Sequence, residues 1–138
     1  MMKKCFFSAT ITILPSHNFT IHIMINYHNK IFATVDSTDT GEVSSETRFH
    51  YRHEGSIVWA TYEGGSIWWG TLMAFVDNEG NLDMRYQHLN RAGEFKSGRC
   101  QSTPEILEDG RIRLHEEWQW TCDDHSTGTS VIEEVKEN

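Results

Sequence analysis

The 138-residue chain predicts an all-β fold: a single antiparallel meander of about eight strands that closes into a small barrel. Three observations carry this. Clusters of Gly, Asn, Asp and Ser at 36–41, 54–56, 63–66, 77–81, 90–93, 108–110 and 123–128 punctuate the sequence at short intervals. They fall where φ must turn positive or a side chain must cap a tight reversal. The stretches between them alternate apolar and polar residues, and none carries a 3.6-residue stripe of helical length. Closing the sheet removes its exposed edges, which favours a barrel over the alternative of an open sandwich.

Residues 1–23 stand apart from this pattern. None of the 20 acidic residues lies among them, whereas Lys3 and Lys4 do. The opening MMKKCFFSATITILPSHN resembles a weak secretory signal, interrupted by threonines and followed by Pro15, His17 and Asn18. It has no small-x-small cleavage site, and its apolar run is too short for a membrane span. The expectation is that 1–23 is a non-domain extension, either a mis-assigned start upstream of Met24 or a signal-like segment. Residues 24–138 are then a single barrel domain.

The strands follow in order from Ile31. Residues 47–52 put Phe49 and Tyr51 on one face and Arg48, His50 and Arg52 on the other. Residues 57–62 and 67–76 are apolar on both faces, which predicts a covering layer and a packing role for Trp59, Trp68 and Trp69. Residues 82–89 set Leu82, Met84, Tyr86 and His88 against Asp83, Arg85 and Gln87. Residues 111–121 set Ile112, Leu114, Trp118 and Trp120 against Arg113, His115, Glu117 and Gln119, and 131–135 is expected to close the sheet.

Composition narrows the function. Hydrophobic residues make up 38% and aromatics 12%, enough for one buried core. The formal charge of −8 opposes nonspecific nucleic-acid binding and docking on an anionic membrane. The basic pairs Arg48/Arg52 and Arg111/Arg113 read as solvated strand faces. Cys5, Cys100 and Cys122 form no framework and no CxxC, so reduced thiols and a cytoplasmic location are expected, with a Cys100–Cys122 bridge as the alternative.

No catalytic or metal motif emerges. His115-Glu116-Glu117 begins like HExxH, but position 119 is Gln and the segment is a strand, so two ligands cannot share a helix face. No nucleophile elbow occurs, and Gly64-Gly65 joins two strands rather than leading into a helix. Glu116 is the exception on pattern: it shares a face with Ile112, Leu114, Trp118 and Trp120. A carboxylate there must find a partner or take up a proton. Glu116, Trp118, Tyr86, His88 and Arg99 are therefore the candidate ligand-binding residues, since a polar group among aromatic walls makes a small-ligand pocket. The structural alternative is that Glu116 pairs with an arginine to fix register, or sits in water at a mouth.

Four segments carry a family resemblance: GEVSSETRFHYR from Gly41, IVWATYEGG from Ile57, GNLDMRYQH from Gly80 and RLHEEWQWT from Arg113. Over roughly 24–135 the chain resembles short bacterial proteins that often carry the label N-acetylglutamate synthase. The resemblance implies a small barrel of calycin-like or avidin-like shape. The label implies acetyl transfer from acetyl-CoA to glutamate. That chemistry uses a strand-to-helix loop of the form Gln/Arg-x-x-Gly-x-Gly/Ala around the pyrophosphate. Here RHEGSI, Arg52 to Ile57, ends in Ile and lies in a hairpin, so no catalytic residue and no cofactor carries over.

The leading expectation is a noncatalytic barrel that binds a small, partly apolar molecule. The alternatives are the acetyltransferase of the label and a protein-interaction module built on outward-facing Trp or Tyr.

Overall fold

The computed structural model describes residues 8–13 and 19–136, with side chains from residue 24 onward. Cys5 lies outside the described residues. Two strands, β1 (Ser8–Ile13) and β2 (Phe19–Met24), pair antiparallel as a separate two-stranded sheet. Eight more follow: β3 (Ile31–Ser37), β4 (Arg48–Glu54), β5 (Ile57–Gly64), β6 (Ile67–Val76), β7 (Leu82–Asn90), β8 (Phe95–Ile106), β9 (Ile112–Trp120) and β10 (Thr127–Glu134). Each pairs antiparallel with the next, and β10 returns to pair with β3. The predicted meander and its closure are both present.

Turn chemistry sets the register. Glu54 faces Ile57 across a two-residue turn in which Gly55 has φ 60°, the positive φ that a tight hairpin needs. The closing strand starts at Thr127, earlier than its apolar residues suggest, because Gly128 and Ser130 also face inward. Its ladder with β3 shifts by one residue between Val131 and Ile132.

One end of the barrel is a closed apolar core. Tyr27, Phe32, Tyr51, Val58, Leu82, Ile112, Leu114 and Ile132 are fully or almost fully buried there. Each such aliphatic side chain contributes about 1.5–3 kcal/mol through its removal from water. The segment before β3 plugs this end: Tyr27 Oη donates to Gly80 O at 2.5 Å, and Tyr27 N donates to His53 Nδ1 at 3.1 Å. The Tyr27 ring meets Tyr51 at 6.0 Å, and Phe32 meets Tyr51 at 4.7 Å. The opposite end lies under the β3–β4 loop, residues 38–47, and is packed differently.

The expected covering layer over β5 and β6 is absent among the described residues. Trp59, Trp68 and Trp69 point outward, 39%, 59% and 50% exposed, so they are not core packing. Two consecutive tryptophans face outward because β6 bulges between Ile67 and Trp69, which restores the inward phase at Gly70.

Candidate functional site

Glu116 sits on the inward row of β9 and is buried. Its register partners are Ser102 on β8 and Ser130 on β10. Each serine donates to one carboxylate oxygen: Ser130 Oγ to Oε1 at 2.8 Å, Ser102 Oγ to Oε2 at 3.1 Å. No arginine approaches it in the hydrogen bonds or ion pairs of the described residues. Burial pushes the Glu116 carboxyl up to about 7, partly offset by the two serine hydrogen bonds that favour its charged form. At neutral pH it can therefore either donate or accept a hydrogen bond inside the barrel. Cys100, also buried, has its thiol pushed up by the same desolvation and then by the Glu116 charge, so it is not a poised thiolate.

Above Glu116 the lumen opens into a cavity of about 50 Å³, bordered by Tyr62, Tyr86, His88, Trp118 and Trp120. The rings meet edge to face: Trp118 with Trp120 at 5.6 Å, Tyr86 with Trp120 at 5.7 Å, His88 with Trp120 at 5.8 Å. Three of these rings lie against a glycine on the neighbouring strand. Tyr62 faces Gly70, Tyr86 faces Gly98 and Trp118 faces Gly128, each pair directly in register. A Cβ at those glycines would stand 2.3, 2.2 and 2.3 Å from the facing side chain. The missing methyls let the aromatics lie along the wall, which keeps the lumen from filling.

The 38–47 loop is tied over this end. Trp120 Nε1 donates to Thr40 O at 2.9 Å. His88 links the wall to Glu42 of the loop: Nε2 lies 2.8 Å from Glu42 Oε1, and Nδ1 lies 2.9 Å from Tyr62 Oη. Asn90 Nδ2 adds a bond to Glu42 Oε2 at 3.2 Å. Burial holds His88 below its usual range, more strongly than Glu42 raises it. A neutral imidazole then donates from Nε2 to the carboxylate and accepts at Nδ1 from the Tyr62 hydroxyl.

Of the residues singled out in the sequence, Glu116, Trp118, Tyr86 and His88 converge on this cavity. Arg99 does not. It lies between Gly98 and Cys100, both inward, so alternation turns it out, where Nη2 donates to Gln119 Oε1 at 2.8 Å. The sequence reading missed Ser102, Ser130, Glu42 and Tyr62. For the two serines a signal exists: once Glu116 faces inward, small polar residues on the adjacent strands are its natural donors. For Glu42 there is none, because it comes from a loop. Among the described residues no group of three or more His, Cys, Asp or Glu is placed to hold a metal ion.

Fold and site together define a small closed up-and-down barrel of calycin-like shape, with one buried carboxylate under aromatic walls. The chain belongs to the avidin-like protein family, whose model matches residues 25–135. No curated protein and no solved structure matches the chain.

Proposed function

We propose that this barrel is a noncatalytic binding protein for a small, partly apolar molecule whose polar end meets Glu116. The observation that carries the reading is a buried, serine-bonded carboxylate facing an aromatic cavity at the 38–47 loop end of the barrel. A space of about 50 Å³ takes a group of a few heavy atoms, so the remainder of a larger ligand would lie beneath the 38–47 loop. The family supports a small-molecule ligand, and its name makes biotin the first compound to try. The odd, scattered set Cys5, Cys100 and Cys122, with no CxxC, is the sequence ground for proposing a reducing, cytoplasmic setting.

Acetyl transfer has no supporting observation. Arg52 to Ile57 span the β4–β5 turn, at the end of β4 remote from the 38–47 loop, and no helix occurs among the described residues. The outward tryptophans favour association with another chain, a use that does not compete with the cavity.

The test is a thermal-shift panel of biotin, fatty acids, sugars, haem, glutamate and acetyl-CoA. A ligand that binds only the folded state raises its stability. The expected result is a saturable rise with an apolar compound, lost in Trp118→Ala and Glu116→Ala. A rise with acetyl-CoA alone would favour the enzyme, and a flat panel would count against a ligand-binding barrel.

A further inference from the structure

We propose that the outer face of β5 and β6 is a homodimer interface, in which a second copy of this chain packs about a two-fold axis running across the strands. Four large side chains form its centre. Ile57 pairs with Phe75 and Trp59 with Met73 across the β5–β6 ladder, and they are 36%, 59%, 39% and 64% exposed. Together they present on the order of 400 Å² of surface, the size of the largest apolar patch on a typical monomer, which is often functional.

The frame around this patch says what covers it. On β4, Glu54 lies beside Ile57 and Arg52 beside Trp59. On β7, Asp83 lies beside Phe75 and Arg85 beside Met73. One cross-strand row therefore reads Glu54, Ile57, Phe75, Asp83, and the next reads Arg52, Trp59, Met73, Arg85. Acids bracket the first row and arginines the second.

A two-fold axis between the rows, perpendicular to the strands, lays each row on the other row of the partner copy. Glu54 then meets Arg52 of the second copy, and Asp83 meets Arg85, which gives four ion pairs around the apolar centre. Ile57 faces Trp59 and Phe75 faces Met73, a thioether-on-ring contact. An axis along the strands would instead set Glu54 on Asp83 and Arg52 on Arg85, like on like. The surface is self-complementary in one orientation only, as an isologous dimer requires. Arg85 and Asp83 already pair within one chain at 2.8 Å, both largely exposed, so exchange of partners costs little. A standard interface buries about 800 Å² per partner, so the charged frame contributes to the contact beside the four apolar side chains.

Sedimentation velocity of the full chain over a concentration series tests this, using two double variants of unchanged net charge. Arg52→Glu with Glu54→Lys swaps the members of two of the four inter-copy pairs and preserves all four attractions, so dimerisation is expected to stay at the wild-type level. Glu54→Lys with Arg85→Glu makes every inter-copy pair repulsive and is expected to weaken self-association roughly 100-fold. Far-UV circular dichroism and thermal unfolding confirm that both variants fold. A wild type that is monomeric throughout the series, or two double variants that associate equally, overturns the proposal.

Discussion

Trp118 lies flat against Gly128, its register partner across β9 and β10, so closely that a Cβ at residue 128 would stand 2.3 Å from the indole. The same Cβ would meet Thr38 Oγ1 at 2.4 Å, so the glycine holds the ring and the edge of the 38–47 loop together. The cavity depends on this arrangement, because a ring displaced from the wall must occupy the lumen.

Gly128→Ala is therefore expected to cost about 2 kcal/mol through overpacking and to remove ligand-induced stabilisation. Urea unfolding measures the first effect. Combining it with Trp118→Ala should recover part of the loss, since the methyl then has room. Strict additivity in that double-mutant cycle would show that the two residues do not share this contact.

Glu116 makes stability depend on pH in a defined direction. Its folded value, about 7, is above the ordinary 4.5, so the folded state binds the proton more tightly. That contribution is complete below pH 4.5 and is lost as pH rises through 7, by on the order of 3 kcal/mol. Glu116→Gln should abolish it. The difference between wild type and variant isolates the effect from His88, whose depressed value works the other way in an overlapping window. An unfolding free-energy difference that stays flat from pH 4.5 to 8 would show that the carboxyl is not strained by burial.

His88 is expected to remain neutral at pH values where an exposed histidine has begun to protonate. Stability from its neutral form is present above pH 6.5 and is lost as pH falls through the lower folded value. Because the Glu42 charge partly offsets burial, Glu42→Gln should depress His88 further. Proton–nitrogen NMR titration of the imidazole reads both shifts, and an upward move in the variant would contradict the assigned contact.

Trp120→Phe keeps most of the ring but removes the hydrogen bond to Thr40 O. The expected cost is about 1 kcal/mol. The greater effect should be faster amide exchange and proteolytic cleavage confined to residues 38–47, with exchange in β4 to β9 unchanged.

Much of the site was legible in the sequence, and the omissions are instructive. Ile112, Leu114, Glu116, Trp118 and Trp120 share one face by simple alternation, so β9 alone places a carboxylate among aromatics, and burial follows once that face turns inward. The adjacent strand did not announce itself. The inward residues of β8 opposite this row are Gly98, Cys100 and Ser102, too small to give an amphipathic signal, yet they face Trp120, Trp118 and Glu116. Arg99 is a candidate in the sequence as a cation able to approach Glu116 from a neighbouring strand. Its position between the inward Gly98 and Cys100 turns it away, which only the structure shows.

The outward tryptophans failed for a different reason. An apolar residue on a strand is read as core because burial is its usual fate, but sequence does not show whether another layer exists to bury it. On β5 and β6 none does among the described residues, and the surplus apolar surface becomes a face for association.

The sequence by itself determined the strands, their antiparallel succession and the row that groups Glu116 with Ile112, Leu114, Trp118 and Trp120, because turn chemistry and two-residue alternation are local. Only the tertiary structure decided which row faces inward, that Ser102 and Ser130 hold Glu116, that glycines face three of the pocket rings, and that Glu42 reaches His88. Those relations are matters of register between strands. A shift of one residue would turn each strand's side chains to the other face, and nothing within a single strand fixes it.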